Sequence, residues 1–68
     1  MTPLSLRKLQ HAIVLADTES YAQASERLHL TQSALTRSIQ SLENELGIRL
    51  FDRGQRGVKI TPDGRAVL

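Results

Sequence analysis

The chain has 68 residues, no cysteine or tryptophan, one phenylalanine, one tyrosine and a net charge of +2. That is enough for one small domain burying about 60% of its unfolded surface, with no disulfide or thiolate metal site to brace it. His11 and His29 are too few and too far apart for a zinc site, two aromatic rings make no stacking platform for single-stranded bases, and no stretch approaches the ~20 apolar residues of a membrane span or the pattern of a signal peptide. The lack of cysteine fits a cytoplasmic protein. Charge is uneven: residues 1–48 carry four cations against five carboxylates, and residues 49–68 five against two. The second set alternates with Leu50, Phe51, Val58 and Ile60, which suits a folded basic edge facing a polyanion better than a solvated tail.

Ser5 is a suitable N-cap for a first helix, with Leu4 and Leu9 at the hydrophobic-staple positions. Leu6, Leu9, Ile13 and Ala16 form the expected inward stripe of a helix ending near Thr18. Val14 and Leu15 fall off that stripe, as exposed apolar residues or as a contact for another chain, and His11 falls on the outer face. Ser20 with Gln23 matches a capping box, so a second helix starts at Tyr21 and turns Tyr21, Ala24, Ser25 and Leu28 inward. Ala24 and Ser25 are small enough to admit a closely packed helix. His29 must bend the chain, at positive φ, before Thr31 caps a third helix predicted over Gln32–Leu46 and stopped by Gly47. Two short helices joined by so tight a turn form a helix-turn-helix.

The third helix has two faces. Leu35, Ile39, Leu42 and Leu46 recur at helical spacing and ask for a core. Gln32, Ser33, Thr36, Arg37 and Gln40 gather on a second face about a third of a turn away. Their amide, hydroxyl and guanidinium groups are those that bond base edges and phosphates in a major groove. Leu50–Asp52 and Val58–Ile60 are strand candidates around a five-residue loop, Arg53–Gly57, whose two glycines favour a hairpin. Thr61 caps a last helix with Pro62 at its first position, and Gly64 weakens that helix locally. A domain rarely ends on Ala66-Val67-Leu68 inside a helix, so the chain reads as the N-terminal part of a longer protein.

The expected fold is therefore mostly α, a winged helix-turn-helix of three helices, a short two-stranded wing and the start of a linker helix. Leu6-Arg7-x-Leu9, Ser20-Tyr21-x-x-Ala24 and Leu28-x-Leu30-Thr31-Gln32-Ser33-Ala34-Leu35-Thr36 resemble the N-terminal domain of the LysR-type transcriptional regulators. So do Ile39-x-x-Leu42-Glu43-x-Glu45-Leu46-Gly47-x-x-Leu50-Phe51-x-Arg53 and Thr61-Pro62-x-Gly64. The resemblance covers residues 4–68 in several separated pieces that stay in register. It implies a bacterial regulator binding double-stranded promoter DNA as a homodimer or tetramer, with residues 4–61 as the DNA-binding domain (helix-turn-helix 21–40). Residues 62–68 would begin the linker and dimerisation helix. A small-molecule effector would bind only through a C-terminal domain absent from this sequence; no membrane and no cofactor are implied. The chain departs from the family pattern at Ala12, where an aromatic is usual, at Glu19 for a frequent glycine, at Ser25 for alanine and at Ser33 for proline. Ala12 and Ser25 imply a thinner core that leans more on the linker helix.

By this resemblance the helix Gln32–Leu46 enters the major groove and the hairpin Arg53–Val58 is the wing. Gln32, which both donates and accepts, suits adenine; Thr36 suits a thymine methyl or a polar base edge; Arg37 suits guanine or a phosphate; Ser33 suits a base or a phosphate. Ser20 and Thr31 sit at helix N-termini whose backbone N–H groups favour phosphate, although any stable helix has such caps. Arg53 suits a narrow minor groove, Arg56 a phosphate or the minor groove, and Gln40, three turns in, grazes the backbone. Arg7, Lys8 and Arg27 read as solvated charges. Catalysis is not expected: no histidine–carboxylate pair stands near a serine, Glu43 and Glu45 point to different sides of their helix, and no phosphate-binding glycine loop is present. The rival reading, a winged helix used only for protein–protein interaction, calls for aromatic or leucine anchors on the outer face of the third helix, where the sequence has polar groups.

Overall fold

The computed structural model describes residues 6–54 and 57–68. It contains α1 (Leu6–Thr18), α2 (Tyr21–Leu28), α3 (Gln32–Leu46), β1 (Phe51–Gly54), β2 (Gly57–Ile60) and α4 (Pro62–Val67). The expected cap Ser5 and its staple partner Leu4 lie outside the described residues. The three long helices pack around one core of Ala12, Leu15, Ala24, Leu35, Ile39 and Leu42, which Leu50, Phe51 and Val58 extend beneath the two-stranded antiparallel wing.

The helix ends are chemically explicit. Ser20 and Thr31 adopt extended backbone, and their hydroxyls accept the N–H of Gln23 at 3.1 Å and of Ala34 at 3.0 Å. Ser20 thus makes the forward half of the capping box; its own N–H turns to the Thr18 hydroxyl at 3.4 Å. His29 takes the left-handed conformation expected of it, at φ 59°, and the end of α2 closes as a Schellman turn: His29 N–H donates to Glu26 O and Leu30 N–H to Ser25 O. Gly47, at φ 72°, closes α3 onto Glu43 O in 2.8 Å.

Helix α1 corrects the expected stripe. Its buried residues are Ala12 and Leu15, whereas Leu6 is 76% and Ile13 54% exposed. Leu15, expected off the stripe, is at its centre; Leu9 and Ala16 pack only partly. Two overlapping helical rows of apolar residues exist in this segment, and polar contacts with α3 lie alongside the row that is buried. Lys8 donates to Ser41 at 2.7 Å and pairs with Glu45 at 3.1 Å, and His11 Nδ1 lies 2.7 Å from Ser38 Oγ. Those contacts require the 8–11–15 row to face α3, which turns Ile13 roughly half a turn away, outward. Lys8 is accordingly engaged rather than solvated, and His11 is half-buried in the α1–α3 seam rather than outward. Arg27 ion-pairs with Asp17 at 2.8 Å across the exposed α1–α2 surface.

The hairpin is longer in strand and shorter in loop than expected. Phe51 pairs with Ile60, Asp52 with Lys59, Arg53 with Val58 and Gly54 with Gly57. Both glycines therefore belong to the ladder, which leaves residues 55 and 56 between the strands. Glu43 secures the way into the wing: its carboxylate accepts the N–H of Leu50 at 2.8 Å and of Phe51 at 3.3 Å. Thr61 secures the way out, donating its hydroxyl to Arg49 O at 2.6 Å and accepting Gly64 N–H at 2.9 Å. Gly64 is buried, and a Cβ there would fall 2.5 Å from Leu50 O and 3.0 Å from Ile60 Cγ1. Its role is close approach of α4 to the strand entry, which outweighs the propensity penalty expected of it.

Candidate nucleic-acid interface

Burial of Leu35, Ile39 and Leu42 on one side of α3 leaves the opposite side to solvent. Thr31, Gln32, Ser33, Arg37 and Gln40 are exposed, and Thr36 is half-buried between the two faces. The first turns of α3 thus present an amide, hydroxyls and a guanidinium together on one open surface, and the inner stripe fixes the rotation of the helix that presents them. Among the described residues Arg37 has no carboxylate partner, so its charge is not neutralised within the fold. Glu43 and Glu45, expected to diverge, do so: Glu43 turns to the strand entry and Glu45 to Lys8.

The second group of candidates gathers at the start of α2. Ser20 is half-buried as the cap, and Arg53, from β1, lies with its guanidinium carbon 5.2 Å from the centre of the Tyr21 ring. The wing docks on the same corner. Glu19 adopts φ 55°, an uncommon conformation for a side chain larger than asparagine, and this turns its carbonyl toward β2. Glu19 O accepts the N–H of Val58 at 3.3 Å, and its carboxylate lies 3.3 Å from Lys59 Nζ. Gly57, at φ 113°, is tolerated there because a Cβ would meet Glu19 O at 2.8 Å. Arg56 lies outside the described residues. Of the basic segment 49–68, Arg49 pairs with Asp52 at 3.6 Å and Lys59 with Glu19, so only part of its formal charge is free to meet a polyanion.

Tyr21 and Glu19 were not among the sequence-derived site candidates. Tyr21 read as an inward core residue, and Glu19 only as a departure from glycine. The alternation Phe51–Arg53, paired with Val58–Ile60, holds the missing signal: it places Arg53 on the same face of the ribbon as Phe51 and Val58, where its exposed side chain borders Tyr21. Among the described residues no cluster of histidine, cysteine, aspartate or glutamate is arranged to hold a metal, and no helix is long and apolar enough to cross a membrane.

A family model described as bacterial regulatory helix-turn-helix protein, lysR family, matches residues 6–65. The SDS degradation transcriptional activation protein of Pseudomonas sp. (strain ATCC 19151) is 54% identical over 63 residues, covering 93% of this chain and 21% of that protein. Among solved structures, the CbnR_DBD–DNA complex superposes with a TM-score of 0.89 at 39% identity, covering 94% of this chain and 74% of that one. The complex of BenM_DBD with catB site 1 DNA superposes with a TM-score of 0.87 at 41% identity, covering 93% and 68%. The chain belongs to the lysR family of bacterial regulatory helix-turn-helix proteins, and its fold is the winged helix-turn-helix of that family. It spans between 20 and 45% of the length of the curated relatives it matches, which are transcriptional regulators, not enzymes.

Proposed function

We propose that residues 4–61 form a DNA-binding domain that recognises specific double-stranded promoter sequences for a transcriptional regulator acting in the cytoplasm. Helix α3 lies in the major groove, with Gln32, Ser33, Thr36 and Arg37 toward base edges and Gln40 at the backbone. The N-terminal ends of α2 and α3, at Ser20 and Thr31, meet phosphates, and Arg53 and Arg56 of the wing reach the flanking backbone or minor groove. Residues 62–68 begin a linker helix through which two or four copies assemble, spanning half-sites about one helical turn apart. A small-molecule effector acts on the assembly through a separate domain.

The observation that carries this reading is the division of α3 into a fully buried apolar stripe and an open polar face beginning at Gln32. Likeness to two domains bound to DNA supports it. A module for protein contacts alone would offer aromatic or leucine anchors on that face, and Gln32, Ser33, Arg37 and Gln40 offer none.

The test begins with selection of bound sequences from a random duplex pool, followed by affinity measurements on the selected and the random DNA. Gln32→Ala and Thr36→Ala should each cost about 1–3 kcal/mol on the selected sequence and less on random DNA. Arg53→Gln should reduce the slope of log affinity against log salt by about 1 without changing the preferred bases. An unaltered ratio of selected to random affinity in both α3 variants removes α3 as the reader.

A further inference from the structure

We infer that Tyr21 is a positioning residue for the wing: its ring carries the Arg53 guanidinium and holds that cation beside the first turn of α2. The inference rests on the reading of Arg53 as a DNA contact and adds what sets its direction. Strand register supplies the first reason. Arg53 pairs with Val58 and is two residues from Phe51, so all three side chains share one face of the ribbon. Phe51 and Val58 are buried in the core on that face. Arg53 therefore leaves the strand on the side that faces the helices; it stays exposed at the edge of that side, with its guanidinium carbon 5.2 Å from the centre of the Tyr21 ring. A planar guanidinium stacks on an aromatic face and gains from the ring's quadrupole, whereas a leucine offers area without that attraction.

The second reason is that Tyr21 is itself fixed. It is the first residue of α2, next to the cap Ser20, and it packs partly against the core. The ribbon is tied independently to the preceding residue: Val58 N–H reaches Glu19 O, Lys59 reaches the Glu19 carboxylate, and Gly57 fits closely over the Glu19 carbonyl. The backbone of the wing and its arginine are thus both referred to the Glu19–Tyr21 corner, the corner that also presents the phosphate-facing end of α2. An arginine free in solution loses much rotamer entropy when it docks; one already laid on Tyr21 loses less.

Two readouts separate this inference from the functional reading beneath it. In labelled protein without DNA, the Arg53 δ-methylene and Nε–H resonances should lie upfield of ordinary arginine values through the ring current of Tyr21, the chain's one tyrosine. Tyr21→Phe should keep that shift, and Tyr21→Leu should abolish it. Arg53→Gln, which leaves the helical core untouched, should move the Tyr21 ring resonances in turn. Unshifted Arg53 resonances in the unsubstituted protein overturn the inference without reference to DNA. On a fluorescent random-sequence duplex at low salt, Tyr21→Leu should weaken binding about twofold to fivefold, with Tyr21→Phe close to the original. The loss should vanish when Arg53 is already glutamine. An equal loss in the Arg53→Gln background means that Tyr21 acts on the fold alone and overturns the inference. Ring-current shifts present as expected, with Arg53→Gln binding as well as the parent, overturn the DNA role of Arg53 and this inference with it.

Discussion

The helical trio and the wing are held by different forces, although they share one core. Between the helices, Leu15, Leu35, Ile39 and Leu42 are fully or almost fully buried, and burying such a side chain contributes about 1.5–3 kcal/mol. The wing brings Phe51 and Val58 to that core, with Leu50 at its entry, and otherwise depends on directed polar contacts: Glu43 to Leu50 and Phe51, Glu19 to Val58 and Lys59, Thr61 to Arg49 and Gly64. Hydrophobic burial is non-directional, so it makes the three helices stable without fixing where a hairpin points. Hydrogen bonds contribute less each but are directional. A fold that holds a helical core and also fixes the direction of a hairpin on it needs both.

That contrast is broken most forcefully in the helices. Leu35→Ala removes a fully buried side chain and should cost about 2–5 kcal/mol. The whole stability expected for 68 residues is only about 3–10 kcal/mol. Urea unfolding should therefore show a large loss or no folded baseline. Ile13→Ala, on the outward side of α1, should stay within about 0.5 kcal/mol of the parent. A comparable loss at Ile13 means that α1 is rotated from the orientation set by Lys8 and His11.

At the wing the informative change is Gly64→Ala. By helix propensity alone alanine should stabilise α4 by as much as about 1 kcal/mol. The structure reverses the sign: the added methyl meets the Leu50 carbonyl, a backbone atom that cannot rotate away, and Ile60 on the other side. Moving α4 off the strand entry also disturbs the Thr61 hydroxyl, which bridges Arg49 O and Gly64 N–H. The expected loss is about 1–3 kcal/mol by chemical unfolding. A gain in stability sinks the close docking of α4 against Leu50.

Where sequence and structure agree, the controlling interaction is local. The caps Ser20, Thr31 and Thr61, the turns at His29 and Gly47, and the inner stripe of α3 each depend on residues within a few positions of one another. The rotation of α1 does not. Leu6-x-x-Leu9-x-x-x-Ile13 is the tighter helical row and Leu9-x-x-Ala12-x-x-Leu15 the looser one, yet the second is buried, and its contacts run to Ser38, Ser41 and Glu45, some 27 to 37 residues away. The same holds for the corner of Glu19 and Tyr21, where the Glu19 carbonyl meets Val58 N–H of β2 and the Tyr21 ring meets the Arg53 guanidinium of β1. The polar face of α3 was readable because one helix carries both the core that orients it and the groups it exposes. The wing's direction was not, because it depends on pairing register and on Glu19 adopting positive φ, a conformation its side chain does not favour.

The smallest expected effect tests the polar side of the helical seam. His11 is half-buried between α1 and α3, and burial, with a further contribution from Arg7 one turn before it, lowers its pKa below the usual 6.5. Its partner is Ser38 Oγ, which serves a neutral imidazole as donor or as acceptor; Lys8, on the same seam, is held by Ser41 and Glu45 and adds no compensating negative charge. The folded state therefore prefers neutral His11, whereas the unfolded chain takes up its proton near pH 6.5. This contribution to stability is complete above that pH, declines as the pH falls through 6.5 toward the lowered folded value, and declines no further below it. His11→Gln keeps a polar side chain that can bond Ser38 and removes the titration. The melting temperature of the parent relative to His11→Gln should thus be constant above about pH 7 and should fall as the pH drops below about 6.5. Carboxylates elsewhere titrate equally in both proteins, so the difference isolates the seam, and a relative rise in acid overturns the packing assigned to His11.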